Sequence, residues 1–196
     1  MRTNKILLIG DSFSSSNHPD SWTNLLPNCD IVNLSSNGSS EYRIFKKLVK
    51  TDLTQFDYIV IVHTSPYRIY IDHNPLHVNS QTHQTCDLLY QDVKSAKATK
   101  FTQNVAWYFE NVFDLAQADV IHDLLIEKIV KLTEAYQPLH LSFFEAENNS
   151  NIVNLHSIWH EHPGAINHLD NNGNKKVAKF ITTMYNTSTN IQKDLI

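Results

Sequence analysis

Three short apolar runs near the start of the chain, residues 5–9, 30–34 and 58–63, constrain its fold more than any other feature. Each is continuous rather than alternating, with isoleucine, leucine and valine prominent, and each is bounded by turn residues. A strand with one wet face alternates apolar and polar side chains. A run that stays apolar suits a strand buried on both faces, in a parallel sheet covered by helices on either side. Between the second and third runs, residues 41–53 place Ile44, Phe45, Leu48 and Val49 at helical spacing, which completes a strand–helix–strand unit. Residues 139–144 read as a fourth strand and 151–155 as a fifth. Helices are predicted over 119–136 and 175–185, the last capped by Asn171 or Asn172. Residues 69–117 break this rhythm: 72–84 are polar and His-rich and read as a loop, and the stretch around Trp107, Phe109, Val112 and Phe113 reads as helical. A connection of that length is an insertion over one end of the sheet. With 196 residues, no internal repeat and no low-complexity linker, the expectation is a single α/β domain over 1–196.

Composition removes several function classes. Net charge is −4 with 16 basic and 20 acidic residues, and no Lys/Arg run tracks a phosphate backbone, so nucleic acid is not the expected partner. The apolar run at residues 6–9 is too short for a signal core or a membrane span, and the expectation is a cytoplasmic protein with no membrane partner. Cys29 and Cys86 are far apart, fit no metal-type spacing and are read as free thiols. Glycine is scarce, four residues in all, so each is expected where a side chain would be costly.

The residues able to carry chemistry sit at strand ends. Run one closes in Gly10-Asp11-Ser12-Phe13-Ser14, a small-residue turn that can hold Ser12 clear of the sheet as a nucleophile. Run two is followed by Asn37-Gly38, where a glycine lets the backbone approach a substrate and aim an amide at an oxyanion. Run three ends in His63-Thr64-Ser65-Pro66-Tyr67-Arg68, a set of hydroxyls and a guanidinium. His168 precedes Leu169-Asp170-Asn171-Asn172-Gly173-Asn174 and the last helix. Each feature alone is weak: a strand–turn–helix link, a plain turn, or a structural histidine explains it equally well.

Taken in order, the four blocks resemble those of the SGNH/GDSL hydrolase family. The resemblance spans most of the chain and implies a flavodoxin-like three-layer α/β/α sandwich with a mostly parallel five-stranded sheet. It implies ester hydrolysis through an acyl-enzyme, with Ser12 as nucleophile, His168 as general base, and oxyanion donors in the Ser12 and Gly38 amides. No cofactor is implied, and the expected partner is a small-molecule ester. Two departures stand out. The third block places Ser65 where the family has an asparagine, and removing one oxyanion donor typically costs about 2.7–4 kcal/mol of transition-state stabilisation. The position three before His168, where the family has aspartate, is Ala165, which leaves Glu161 and Asp170 as candidate orienting acids or a Ser-His dyad without one. Asp11, Thr64, Tyr67 and Arg68 are the candidate substrate rim.

Rival readings have their own residues. His156 and His160 can share a helical face as metal ligands, with His162 and Glu161 nearby, and His73, His77 and His83 form a second group. Pro163-Gly164 and the missing His-Glu-x-x-His pattern argue against a metal. Trp22, Trp107 and Trp159 suit core or lid packing more than sugar platforms. A cleft that binds a ligand without turnover, or one that transfers the acyl group to another hydroxyl, uses the same residues.

Overall fold

The computed structural model describes residues 3–16, 18–77, 86–144, 150–165 and 168–193, with side chains to residue 185. Its centre is one sheet of five parallel strands: β1 (Asn4–Ile9), β2 (Cys29–Asn33), β3 (Tyr58–His63), β4 (Leu139–Ser142) and β5 (Ile152–Asn154), in the order β2-β1-β3-β4-β5. The helices are α1 (Glu41–Lys50), α2 (Tyr90–Ser95), α3 (Lys100–Asn111), α4 (Leu115–Thr133), α5 (His156–Glu161) and α6 (Asn171–Lys193).

The continuous apolar runs behave as expected of strands covered on both faces. In β1, Leu7 and Ile9 join Ile44 and Leu48 of α1 and Ile129 of α4 in one core. Ile6 and Leu8 face the other way, into a second core with Val177 and Ile181 of α6. β3 divides the same way, with all six residues buried. The result is the expected α/β/α sandwich.

The register of the elements differs from the sequence expectation at several ends. α4 starts at Leu115 rather than 119, because the Asp114 side chain accepts the Gln117 amide at 2.7 Å and caps it earlier than the apolar stripe begins. α6 is capped by neither Asn171 nor Asn172: Asp170 Oδ1 accepts the Gly173 amide at 2.7 Å. β4 stops at Ser142, two residues short of the expected end. The insertion holds two helices, α2 and α3, and its base is closed by an antiparallel bridge between Ile69 and Leu88. No helix among the described residues is long and apolar enough to cross a membrane.

Candidate active site

The strand order reverses between β1 and β3, so the connections leaving their carboxyl ends run to opposite faces and open a crevice between them. The turn after β1 lies there. Its backbone closes through Gly10, where an added Cβ would come within 2.5 Å of Ser14 Oγ and 2.7 Å of the Val62 carbonyl oxygen. Residues Ser12–Ser14 form one 3-10 turn, capped by Asp11, whose Oδ1 accepts the Phe13 amide at 3.0 Å. Two further bonds from distant parts of the chain fix it: the Trp22 indole donates to the Phe13 carbonyl at 2.6 Å, and Asn33 Nδ2 donates to the Ser14 carbonyl at 2.8 Å. Trp22 is itself fully buried, which is the core role expected of it.

Phe13 ties this turn to the far end of the chain. Its ring stacks on Phe143 at 4.6 Å, meets Trp159 edge-on at 5.8 Å, and lies 5.3 Å from the His168 imidazole. The loop bearing His168 is held by a bridge between Pro163 and Leu169 and by the Gly164 amide donating to the His168 carbonyl. Ser12 and His168 thereby line the same cavity, of about 630 Å³, with Asn37, Ala165, Asp170 and Asn174 among its other walls.

The remaining candidates divide. Gly38 adopts φ +62°, and a Cβ there would lie 2.8 Å from Cys86 Sγ and 3.2 Å from Arg68 Nη1, so no larger residue fits without a shift. Its neighbour Asn37 reaches the cavity; Gly38 and the half-buried Ser65 are not among the lining residues. Tyr67 is exposed and is not among the lining residues. Arg68 Nε is buried without a hydrogen-bond partner among the described residues, behind Gly38 rather than on the cavity wall. Asp11 and Thr64 are not rim residues. They are 1% and 2% exposed, joined by the Thr64 hydroxyl donating to Asp11 Oδ2 at 3.2 Å, because the turn folds its polar side chains inward to satisfy its own amides. Burial pushes the Asp11 carboxyl up to about 6, against the Phe13 amide, the Arg68 charge and the Thr64 hydroxyl, which all pull it down.

Both candidate acids have other partners. Glu161 is exposed and lies 3.4 Å from Lys176 Nζ. Asp170 lines the cavity, but its Oδ1 caps α6 and sits 3.6 Å from His162 Nδ1, and the Gly173 amide holds its carboxyl below the usual range. His156 and His160 do share one face of α5, with rings stacked 6.1 Å apart. Among the described residues no three His, Cys, Asp or Glu side chains are placed to hold a metal ion; His83 lies outside them. Both cysteines are free thiols, Cys86 buried and Cys29 half-buried.

One group of buried residues escaped the sequence reading. Glu41, at the start of α1, accepts from His63 Nδ1 at 2.7 Å and from the Thr64 amide at 3.1 Å, and His63 Nε2 lies 3.0 Å from His140 Nδ1. Glu41 reads from sequence as an ordinary acidic first-turn residue, and His140 falls inside an apolar run, so nothing local joins them.

No protein-family model matches the chain, and no curated protein matches it in sequence. Among solved structures, a lipase/acylhydrolase from Enterococcus faecalis is similar at 14% identity over 92% of this chain and 94% of that one, with a TM-score of 0.42. A likeness of that size leaves the chemistry of this site to its own residues.

Proposed function

We propose that the protein is a serine hydrolase acting on a small ester through an acyl-enzyme. The observation that carries this reading is the shared cavity: Ser12, on a turn fixed by buried bonds, and His168, on a pinned loop, face one space beside the sheet's switch point. In this reading His168 takes the proton from Ser12 Oγ as that oxygen bonds to the ester carbonyl carbon. The carbonyl oxygen becomes an oxyanion, met by the Ser12 amide; Gly38 and Ser65, the other donors the resemblance implies, lie off the cavity wall. Collapse breaks the bond to the alcohol oxygen, which leaves with the proton from His168. Water then repeats the sequence on the acyl-enzyme and restores Ser12.

The cavity walls disfavour an anionic substrate and suit a hydroxyl-rich alcohol portion such as an acylated carbohydrate. Asn37 and Asn171 offer amides, Phe13 and Leu169 offer apolar surface, Asp20 and Asp170 add carboxylates, and among the described residues no Lys or Arg lines the cavity. Ala165, on the cavity wall where the resembled family carries its acid, favours one second reading: a cleft that binds the same ligand without turnover. Hydrolysis of short-chain aryl esters separates the two. The hydrolase reading predicts a rate that falls at least a hundredfold in both Ser12→Ala and His168→Ala; saturable binding with no hydrolysis by the wild type supports the second reading instead.

A further inference from the structure

We propose that His63 is a positioning residue for the turn that carries Ser12, acting through Glu41, Thr64 and Asp11. Its link to catalysis rests on Ser12 being the nucleophile; the hydrogen-bonded chain itself does not. From β4 inward the chain runs His140, His63, Glu41, Thr64, Asp11 and the Phe13 amide, with successive contacts of 3.0, 2.7, 3.1, 3.2 and 3.0 Å. It crosses from β4 through β3 and α1 to the end of β1, and each of its side chains from His140 to Asp11 is buried.

The Glu41 side chain is 2% exposed and His63 1%, and among the described residues no Lys or Arg side chain bonds Glu41. A carboxylate buried without a Lys or Arg partner depends on its hydrogen-bond donors, here His63 Nδ1 and the Thr64 amide. On its other side the His63 ring shares a hydrogen bond with His140, Nε2 to Nδ1 at 3.0 Å. Burial first and the charge on His63 second depress the His140 pKa to about 3, so His140 is neutral. Glu41 stays ionised despite burial, drawn below the usual carboxylate range chiefly by the His63 charge and hydrogen bond. The other charged groups around the chain are Arg68 beyond β3, His122 on α4 at 3.7 Å from Glu41 Oε2, Asp123 beside His122, and the Arg43–Asp87 pair further along α1.

Thr64 joins the two halves of the hydrogen-bonded chain. Its amide is fixed by Glu41, its carbonyl accepts from His122 Nε2 at 2.7 Å, and its hydroxyl holds the free oxygen of the Asp11 cap. Losing the ionised Glu41 loosens Thr64, and with it the cap that shapes residues 12–14. The test uses the full chain, with hydrogen exchange at the Phe13 amide as the readout, in His63→Gln, Thr64→Val and the double variant. The chain predicts at least tenfold faster exchange at Phe13 in each single variant, no further increase in the double, and unchanged exchange at the Val60 amide in the core. Unchanged exchange at Phe13 in either single variant, or multiplied effects in the double, overturns the proposal. Should His63→Gln not fold, Glu41→Gln takes its place in the cycle with Thr64→Val, and the same outcomes support or overturn the proposal. None of these readouts depends on turnover, so loss of the serine-hydrolase reading leaves them standing, and their failure leaves Ser12 chemistry untouched.

Discussion

Asp11 shows how one buried residue can shape the turn that carries Ser12. It caps the Ser12 turn and takes the Thr64 hydroxyl while wholly buried, and burial raises its pKa from 3.8 to about 6. A carboxyl that binds its proton more tightly when folded favours the folded state at low pH. That advantage is fully present below pH 3.8 and is lost as pH rises through 6, a change of about 3 kcal/mol in this single contribution. Asp11→Asn has no such titration. Chemical denaturation of both proteins from pH 4 to 7 is therefore expected to show wild-type stability declining relative to the variant, with the decline complete near pH 7; parallel curves would contradict the assignment. At this scale the two residues that share the cavity, Ser12 and His168, could be singled out in the sequence because each sits in a local pattern at the end of an element. The inward turn of Asp11 and Thr64 could not, since it depends on which amides lack partners after the turn has folded.

The elements were legible where their apolar pattern was their own. β1 and β3 are apolar because both faces are covered, and this marks them without any knowledge of the covering helices. Helix ends were less legible, because caps are set by single polar side chains and not by periodicity. α1 illustrates this: Ser40 Oγ accepts the Arg43 amide at 3.3 Å and starts the helix directly before Glu41. Ser40→Ala is expected to cost about 1 kcal/mol in thermal or chemical unfolding. It should also loosen the first turn, where Glu41 meets His63.

At the scale of the whole molecule, the strand order β2-β1-β3-β4-β5 does two things together. It places the ends of β1 and β3 at the switch point, and it brings α6 back across the sheet so that the loop before it meets the Ser12 turn. The insertion is fastened to this frame from the other side. Asp87 is completely buried and bonds Arg43 Nη2 at 2.7 Å, Arg43 Nε at 3.1 Å and the amides of Ser40 and Ile71. Asp87→Ala strands a buried guanidinium and two amides, and a loss of about 3–5 kcal/mol is expected in equilibrium unfolding. No sequence pattern links Asp87 to Arg43, 44 residues away; the pairing exists only once the insertion has closed on α1. The same holds for His140 and His63, 77 residues apart.

The central claim is that Ser12 is an activated nucleophile facing His168. A fluorophosphonate probe followed by intact-mass measurement and peptide mapping tests it directly. The account predicts one adduct, mapped to Ser12, absent in Ser12→Ala and formed at least a hundredfold more slowly in His168→Ala. A wild-type protein that takes no label, or an adduct that persists undiminished in Ser12→Ala, would contradict it.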